Sequence, residues 1–564
     1  LNILGINCFS HDTSACLLRN GEIVAFVEEE RFTRKKHTKD FPNNSIKFCL
    51  EAGGITIDDV DFVAFPFRPG LDFARGLRHF IQYFPGSYKR FAGQALMDAN
   101  LKRKVVNFRR EFRYKKKIYF VGHHEAHAAS SFFVSPFDKA AVLSIDRGGD
   151  YVSTLLAVGE GSDIKTLDFV RNPHSVGEFY TAVTAYLGFT PNGGEGKVMG
   201  LAPYGDSTYH DSFQKFFALN GGGNFKLNLE YFPHHYGSDW FSKKFVEEFG
   251  SPRESESSME RRFENIAAAL QKTTEDIGIY LANHLYEATK LDNLCIAGGV
   301  GLNSVMNAEI LKNTPFKEVF VQPACNDAGT SLGCALYVWH VCLGNGRKFQ
   351  MKHAFYGPGS ENSEIEEALK KAGVNYQFVD DPAKVTAGLI ADGKIVGWFQ
   401  GRMEMGPRAL GGRSILADPR ISEMKDILNH KVKHREGFRP FAPSILVEDG
   451  PQYFDDYVET PFMLHVLPIK NDKRDVIPAV CHVDGTGRLQ TVAKEDNPLY
   501  WQMINEFKKL TSVPVVLNTS FNVRGEPIVL SPQDAVNCFL STELDCLMIG
   551  NYLVDKKSRQ PTAD

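Results

Sequence analysis

A plan of strand, polar loop and hairpin occurs twice in this chain. It first occupies residues 3–6, 7–12, 14–18, 19–22 and 23–27, with Asn20-Gly21 at the turn. An Asn-Gly pair between apolar runs is a strong short-range hairpin signal, because both residues tolerate the positive φ of a type I′ turn. The plan returns at 140–145, 146–150 and 153–158, closed by Gly159-Glu-Gly161. Such a repeat predicts a duplicated domain with two lobes. At 564 residues the chain is also too long for one core, so two or three domains are expected.

Further along, Phe263, Ile266, Leu270, Ile277, Leu281 and Leu285 follow helical spacing and mark one buried face of a long helix. An apolar strand, 294–297, then leads into Gly298-Gly-Val-Gly301 and a helix from about Asn303. A strand, glycine turn and helix start leave free amide hydrogens aimed at an anion, although tight turns also need glycine for backbone reasons alone. Turn residues cluster from Gly344-Asn-Gly346 to Gly357-Pro-Gly359 and place a boundary there. Beyond it three runs mix cations, glycines and hydroxyls: 397–413, 431–441 and 517–526. Arginine forks, glycine amides and Ser or Thr hydroxyls together are what polyphosphate binding requires, so this region is expected to hold a phosphate site.

His123-His-Glu-Ala-His127 puts His123 and His127 one helical turn apart, on one face, where two imidazoles can grip one ion. Asp146 and Asp327, each in a Gly-rich setting, could complete an N2O2 shell suited to iron or zinc. A zinc peptidase would need H-E-x-x-H, whereas His124 follows His123 and Glu125 comes next, out of place for that general base. A small-molecule kinase on the same amino-terminal fold, or a metal-dependent hydrolase, stays as the alternative. A kinase, however, needs neither the His pair nor a second phosphate-rich domain.

Composition excludes several classes. Hydrophobic content of 43%, 23% charged residues and a net charge of -4 give no sign of a nucleic-acid or membrane partner. No apolar run is long enough to span a bilayer and no cationic, apolar leader opens the chain, so a cytoplasmic protein is expected. The ten cysteines include no C-x-x-C pair, which predicts buried free thiols. The basic run 102–117 interleaves Val105, Val106, Phe108, Phe112 and Tyr114, as on a helix with one wet face, and His234-His235 is read as a loop with no metal role.

Several motifs carry a resemblance: the His11-Asp12 loop, Glu28-Glu-Glu-Arg-Phe-Thr-Arg34, His123 to His127, Lys197-Val-Met-Gly-Leu-Ala-Pro-Tyr204, Gly406-Pro-Arg-Ala-Leu410, Arg439-Pro-Phe-Ala-Pro443 and Asn518-Thr-Ser-Phe-Asn522. Over nearly its whole length the chain resembles the O-carbamoyltransferases of nodulation-factor and antibiotic biosynthesis. Only 67–117 carries no matching motif.

The resemblance implies an α/β protein with two domains. Residues 1–350 would form a duplicated actin and sugar-kinase-like carbamoyl-transfer domain, and 358–564 a YrdC-like domain that forms carbamoyladenylate. It implies carbamoyl phosphate, ATP with Mg2+ and a hydroxylated small molecule as partners, with homodimerisation an open expectation. His123, His127, Asp146 and Asp327 would hold Fe2+ or a similar divalent metal. Arg408, Lys433, Arg439, Arg488, Asn518, Ser520 and Arg524 would bind carbamoyl phosphate or ATP. Lys197, Gly298, Gly299, Asn303 and Asn326 would hold the carbamoyladenylate. His11, beside Asp12, would be the general base, on the premise that its pKa is near the ordinary value.

Overall fold

The computed structural model describes residues 1–8, 11–237 and 239–556; Phe9 and Ser10 of the first polar loop, and 557–564 of the expected second domain, lie outside the described residues. Two compact units divide the chain. One comprises Leu1–Glu29 and His37–Met351, the other Glu30–Lys36 and Lys352–Asp564. Residues 30–36, expected within 1–350, group instead with the second unit because Phe32 packs among Met403, Ala409, Ile528 and Leu530.

In the first unit, β1 (Asn2–Asn7), β2 (Ser14–Arg19), β3 (Glu22–Glu28), β4 (Phe62–Phe65) and β5 (Ile118–Phe120) form a sheet of order β3-β2-β1-β4-β5. The β1–β2 and β2–β3 pairs are antiparallel, and β4 and β5 join in parallel. Asn20 and Gly21 stand at φ 52° and 89°, the turn predicted. A second sheet repeats the scheme with β6 (Lys139–Gly149), β7 (Val152–Glu160), β8 (Asp163–Arg171), β11 (Asn293–Ala297) and β12 (Glu318–Val321), after a small ribbon of β9 (Phe217–Leu219) and β10 (Phe225–Leu227). Its order, β8-β7-β6-β11-β12, matches the first strand for strand, and so do its pairing senses. The two lobes of a duplicated domain are therefore present.

The helix Arg261–Thr289 buries all six apolar positions that its spacing singled out. Residues 67–117 supply two helices, Leu71–Gln82 and Tyr88–Glu111. In the latter Leu101, Val105 and Phe108 are buried while Lys102, Arg103, Arg109 and Arg110 are exposed, the one wet face expected. Val106 departs from that reading and is 64% exposed. All ten cysteines are free and most are buried, and no described helix is long and apolar enough to cross a membrane.

The helix Thr330–Tyr337 locks the site of this unit in place. A Cβ on Gly5 of β1 would lie 1.8 Å from the Ser331 carbonyl oxygen, and a Cβ on Gly333 would lie 1.8 Å from that of Ala126, inside the helix His123–Phe132. Two glycines thus let one helix touch the first sheet and the histidine helix by backbone contact.

The second unit is built on a mixed eight-stranded sheet. Its strands are β13 (Gln377–Phe378), β14 (Val396–Phe399), β15 (Arg413–Ala417), β16 (Ala442–Leu446), β19 (Gln490–Val492), β20 (Val515–Ser520), β21 (Cys546–Ile549) and β22 (Tyr552–Asp555), in the order β13-β22-β21-β14-β15-β20-β16-β19. A separate ribbon pairs β17 (Val466–Pro468) with β18 (Thr486–Arg488). Trp398, Ile445, Phe507 and Leu547 are among the fully buried side chains of its core.

Gly333→Ala should shift or unseat the histidine helix, with a loss of about 2 kcal/mol or more in unfolding free energy, since overpacking here meets backbone and not a flexible side chain. Urea denaturation measures it; wild-type stability would mean that the close approach does not position the helix.

Candidate functional site

The helix His123–Phe132 starts where Asp150 Oδ2 accepts the His123 amide at 2.8 Å and Glu125 reaches back to the Gly122 amide at 3.1 Å. Asp150 and Tyr151, both at positive φ, form the turn that joins β6 to β7, so the hairpin itself caps the helix. This brings His123 and His127 over Asp146, whose Oδ1 accepts the Gly299 amide at 3.0 Å. The two Nε2 atoms are 3.1 Å apart, and Asp327 Oδ1 lies 3.6 Å from one and 3.5 Å from the other. Asp146 Oδ2 lies 3.3 Å from His123 Nε2 and 4.0 Å from His127 Nε2. One ligand atom from each of the four residues falls within 4.8 Å of every other, and all four side chains are buried.

This donor set fits a cation. Two imidazole Nε2 atoms and two carboxylates converge on one buried space, and buried carboxylates need positive charge. Burial pulls the His123 pKa down, but its bond to Asp146 and the charges of Asp327, Asp146 and Asp150 push it up to about 9. His124, between the pair, is held down to about 3 by burial and by His123 and His127, and bridges Ser144 Oγ and the Val152 carbonyl as a structural, neutral ring.

Asp12 forms a second centre in the same unit. His11 Nδ1 is 3.1 Å from Asp12 Oδ2, His37 Nδ1 is 2.7 Å from Oδ1, and Asn326 Nδ2 donates to Oδ2 at 3.0 Å. His37 was not foreseen, because nothing local in the sequence ties it to Asp12. Burial lowers the His11 pKa, but Asp12 and Asp327 raise it to about 9. Asp12 is depressed below the usual carboxylate range by both histidines, against its burial.

The second unit gathers cations. Burial lowers the pKa of Arg488, and Arg408, Arg435 and Arg439 lower it further. Burial and Arg439 do the same to Arg435; burial lowers Arg439, with Glu436 opposing and Arg524 adding to the repulsion. Glu436 stands 3.9 Å from Arg439 Nη1, and the buried Nε of Arg488 has no partner among the described residues. Guanidinium groups gathered in this way are suited to holding an anion. Arg435 joins Arg408, Arg439, Arg488 and Arg524 here; only its place in the cationic run 431–441 hinted at it.

Three other expected phosphate contacts, Lys433, Asn518 and Ser520, make bonds within the unit. Lys433 is buried and directs its ammonium at the Ser520 carbonyl and, at 2.9 Å each, at the Asn522 carbonyl and Oδ1, which uses all three protons. Asn518 is 1% exposed and donates to Ala409, Ser444 and Gln490 in the core. Ser520 Oγ donates to Asn522 Oδ1 at 2.7 Å. Within 397–413, Arg413 is fully buried on the carbonyls of Gln400, Gly412, Pro358 and Gly401, and Arg402 bonds Gly357.

Comparison with known proteins decides the family. The model described as the carbamoyltransferase N-terminus matches residues 2–336, and that of the carbamoyltransferase C-terminus matches 387–556. This chain belongs to the carbamoyltransferase family. Among its relatives, the nodulation protein NolNO of Sinorhizobium fredii is 40% identical, over 98% of this chain and 80% of that protein. An uncharacterized protein of Synechocystis sp. is 42% identical, over 99% and 97%. Solved structures are more distant: component A of the (R)-2-hydroxyglutaryl-CoA dehydratase of Acidaminococcus fermentans covers 61% of this chain and 99% of that one, at 15% identity and a TM-score of 0.35.

In this carbamoyltransferase the residues expected around a carbamoyladenylate divide. Asn303 caps the helix Ser304–Asn313, accepting from Met306 at 3.0 Å, and exchanges bonds with Gln271. Gly298 has φ 87°, and a Cβ there would meet the Ile145 carbonyl oxygen at 2.1 Å, so no side chain fits at that position. Gly299 holds Asp146, Asn326 holds Asp12, and Lys197 sits half-buried with its ammonium 5.5 Å from the Phe189 ring.

His127→Ala should strip metal from the purified carbamoyltransferase while leaving the fold intact. Elemental analysis beside circular dichroism reads both, and full metal content in the variant would remove the ligand assignment.

Proposed function

We propose that this carbamoyltransferase is ATP-dependent and acts on a hydroxyl of a small natural product or sugar. The cation cluster of the second unit, which we read as a YrdC-like domain, carries the proposal: it is anion-binding machinery of the kind that a phosphate-handling step needs. Carbamoyl phosphate loses its phosphoryl group to water, and the resulting carbamate oxygen attacks the α-phosphorus of Mg-ATP and displaces pyrophosphate. Arg408, Arg435, Arg439, Arg488 and Arg524 bind the phosphates, with forked, charge-assisted bonds that also fix their orientation. Lys433 holds the Ser520–Asn522 turn, so its effect on the ligand is indirect.

The first unit then transfers the carbamoyl group. The acceptor oxygen bonds to the carbamoyl carbon as the bond to the AMP phosphate oxygen breaks; adenylation makes AMP the better leaving group. His123, His127, Asp146 and Asp327 hold a divalent cation, iron in our reading, which supplies Lewis-acid polarisation of a carbonyl or phosphate oxygen. His11 handles the proton. Set against Asp12, its ring takes the proton of the acceptor hydroxyl as the new bond to the carbamoyl carbon forms, and AMP leaves as its phosphate anion. Asn326 and His37 keep Asp12 in place for that pairing.

Losing one charge-assisted phosphate contact in a partly dry site costs about 2 kcal/mol or more, so Arg439→Ala should cut pyrophosphate release at least tenfold. The variant should still carbamoylate an acceptor from supplied carbamoyladenylate. Unchanged pyrophosphate release from carbamoyl phosphate and ATP would move the adenylation site elsewhere.

A further inference from the structure

The motif Glu28-Glu-Glu-Arg-Phe-Thr-Arg34 has no part in the chemistry above, yet most of it is built into the second unit. Arg31 is 2% exposed and its Nη2 donates to the Gly406 carbonyl at 2.7 Å. Phe32 packs on Met403, Ala409, Ile528 and Leu530. Arg34 grips two successive carbonyls, Pro527 at 2.8 Å through Nη2 and Ile528 at 2.7 Å through Nη1. Its guanidinium also lies 3.7 Å from the carboxylates of both Glu526 and Asp534. Arg34 has φ 56°, an unfavourable conformation for a residue with a Cβ, and these contacts hold it there.

The two loops that the segment touches are those that carry the outer cations of the anion cluster. Gly406 and Ala409 flank Arg408, and Glu526 to Ile528 follow closely on Arg524. Neither loop belongs to a strand or helix. Arg408 lies close enough to Arg488, and Arg524 to Arg439, to lower the pKa of those groups, so both loops carry cations set against other cations. Phe32 touches both at once, while Arg31 and Arg34 each fasten one by a backbone carbonyl.

We propose that Glu30–Lys36 is a positioning clasp: Arg31, Phe32 and Arg34 hold the Arg408 and Arg524 loops at the spacing that binds phosphate. This rests on the reading of that cluster as the carbamoyl phosphate and ATP site. No clasp residue touches the substrate; each acts through the arginines it places. Lys36, at the end of the segment, adds to the positive field at Lys433.

The test uses the full chain. Arg34→Ala and Phe32→Ala should each raise KM for carbamoyl phosphate and ATP about tenfold in the pyrophosphate-release assay, with kcat within about threefold, because binding geometry is lost and chemistry is not. Arg34→Lys keeps the charge but not the fork across two carbonyls, so it should fall between wild type and Arg34→Ala, and it remains usable if the alanine variant does not fold. A merely structural role would lower the melting temperature and leave KM unmoved in the folded protein. Calorimetric binding of inorganic pyrophosphate separates this inference from the adenylation reading. If wild type binds pyrophosphate and the clasp variants bind it about tenfold more weakly, the clasp stands even where no pyrophosphate is released from ATP. Wild-type affinity and KM in folded Arg34→Ala or Arg34→Lys would overturn it, and so would a wild-type protein that binds no pyrophosphate.

Discussion

Two buried carboxylates and two buried imidazoles share a space less than 5 Å across in the first unit, and burial requires positive charge to offset the carboxylates. An isolated carboxylate there would be driven neutral. Asp146 instead stays far below the usual carboxylate range, because His123 and His127 oppose its burial. The arrangement holds only while the histidine helix stays over the end of β6. That is why Gly333, the Asp150 turn and the Gly299 amide matter: each sets one coordinate of the same four side chains.

The duplication gives this cluster a counterpart. Asp12 follows β1 as Asp146 lies in β6, the equivalent strand of the other lobe, and each carboxylate is engaged by histidine. Adjacent residues from one turn reach both: Asn326 donates to Asp12, and Asp327 faces His123 and His127. A shift of that short turn would alter both centres together, which binds proton handling to cation binding more tightly than either set of contacts does alone.

The local parts of this picture were legible in the sequence. Helical spacing exposed His123 and His127, the Asn20-Gly21 turn fixed a register, and the repeated strand plan predicted the lobes, because each signal lies within a few residues. What escaped depends on neighbours far along the chain. His37 meets Asp12 across a loop, and Arg435 matters only because Arg488 and Arg439 are folded against it. Lys433 and Arg413 stand in cationic, turn-rich runs of the sequence, and only the structure shows the backbone carbonyls that accept from them. A positive residue in a turn reads the same whether its partner is a phosphate or a carbonyl oxygen; only the packed structure tells the two apart.

The placement of Phe32 and Arg34 also constrains how the chain can come into being. The second unit draws on a segment made long before the rest of it, so on the ribosome those residues must wait, with Phe32 unburied, until the strand β20 and the loop after it have emerged. The chain of the first unit is thus interrupted by an excursion that belongs to the other unit. A gene cut once between the units would leave one product with an orphaned aromatic plug and the other with an open seam.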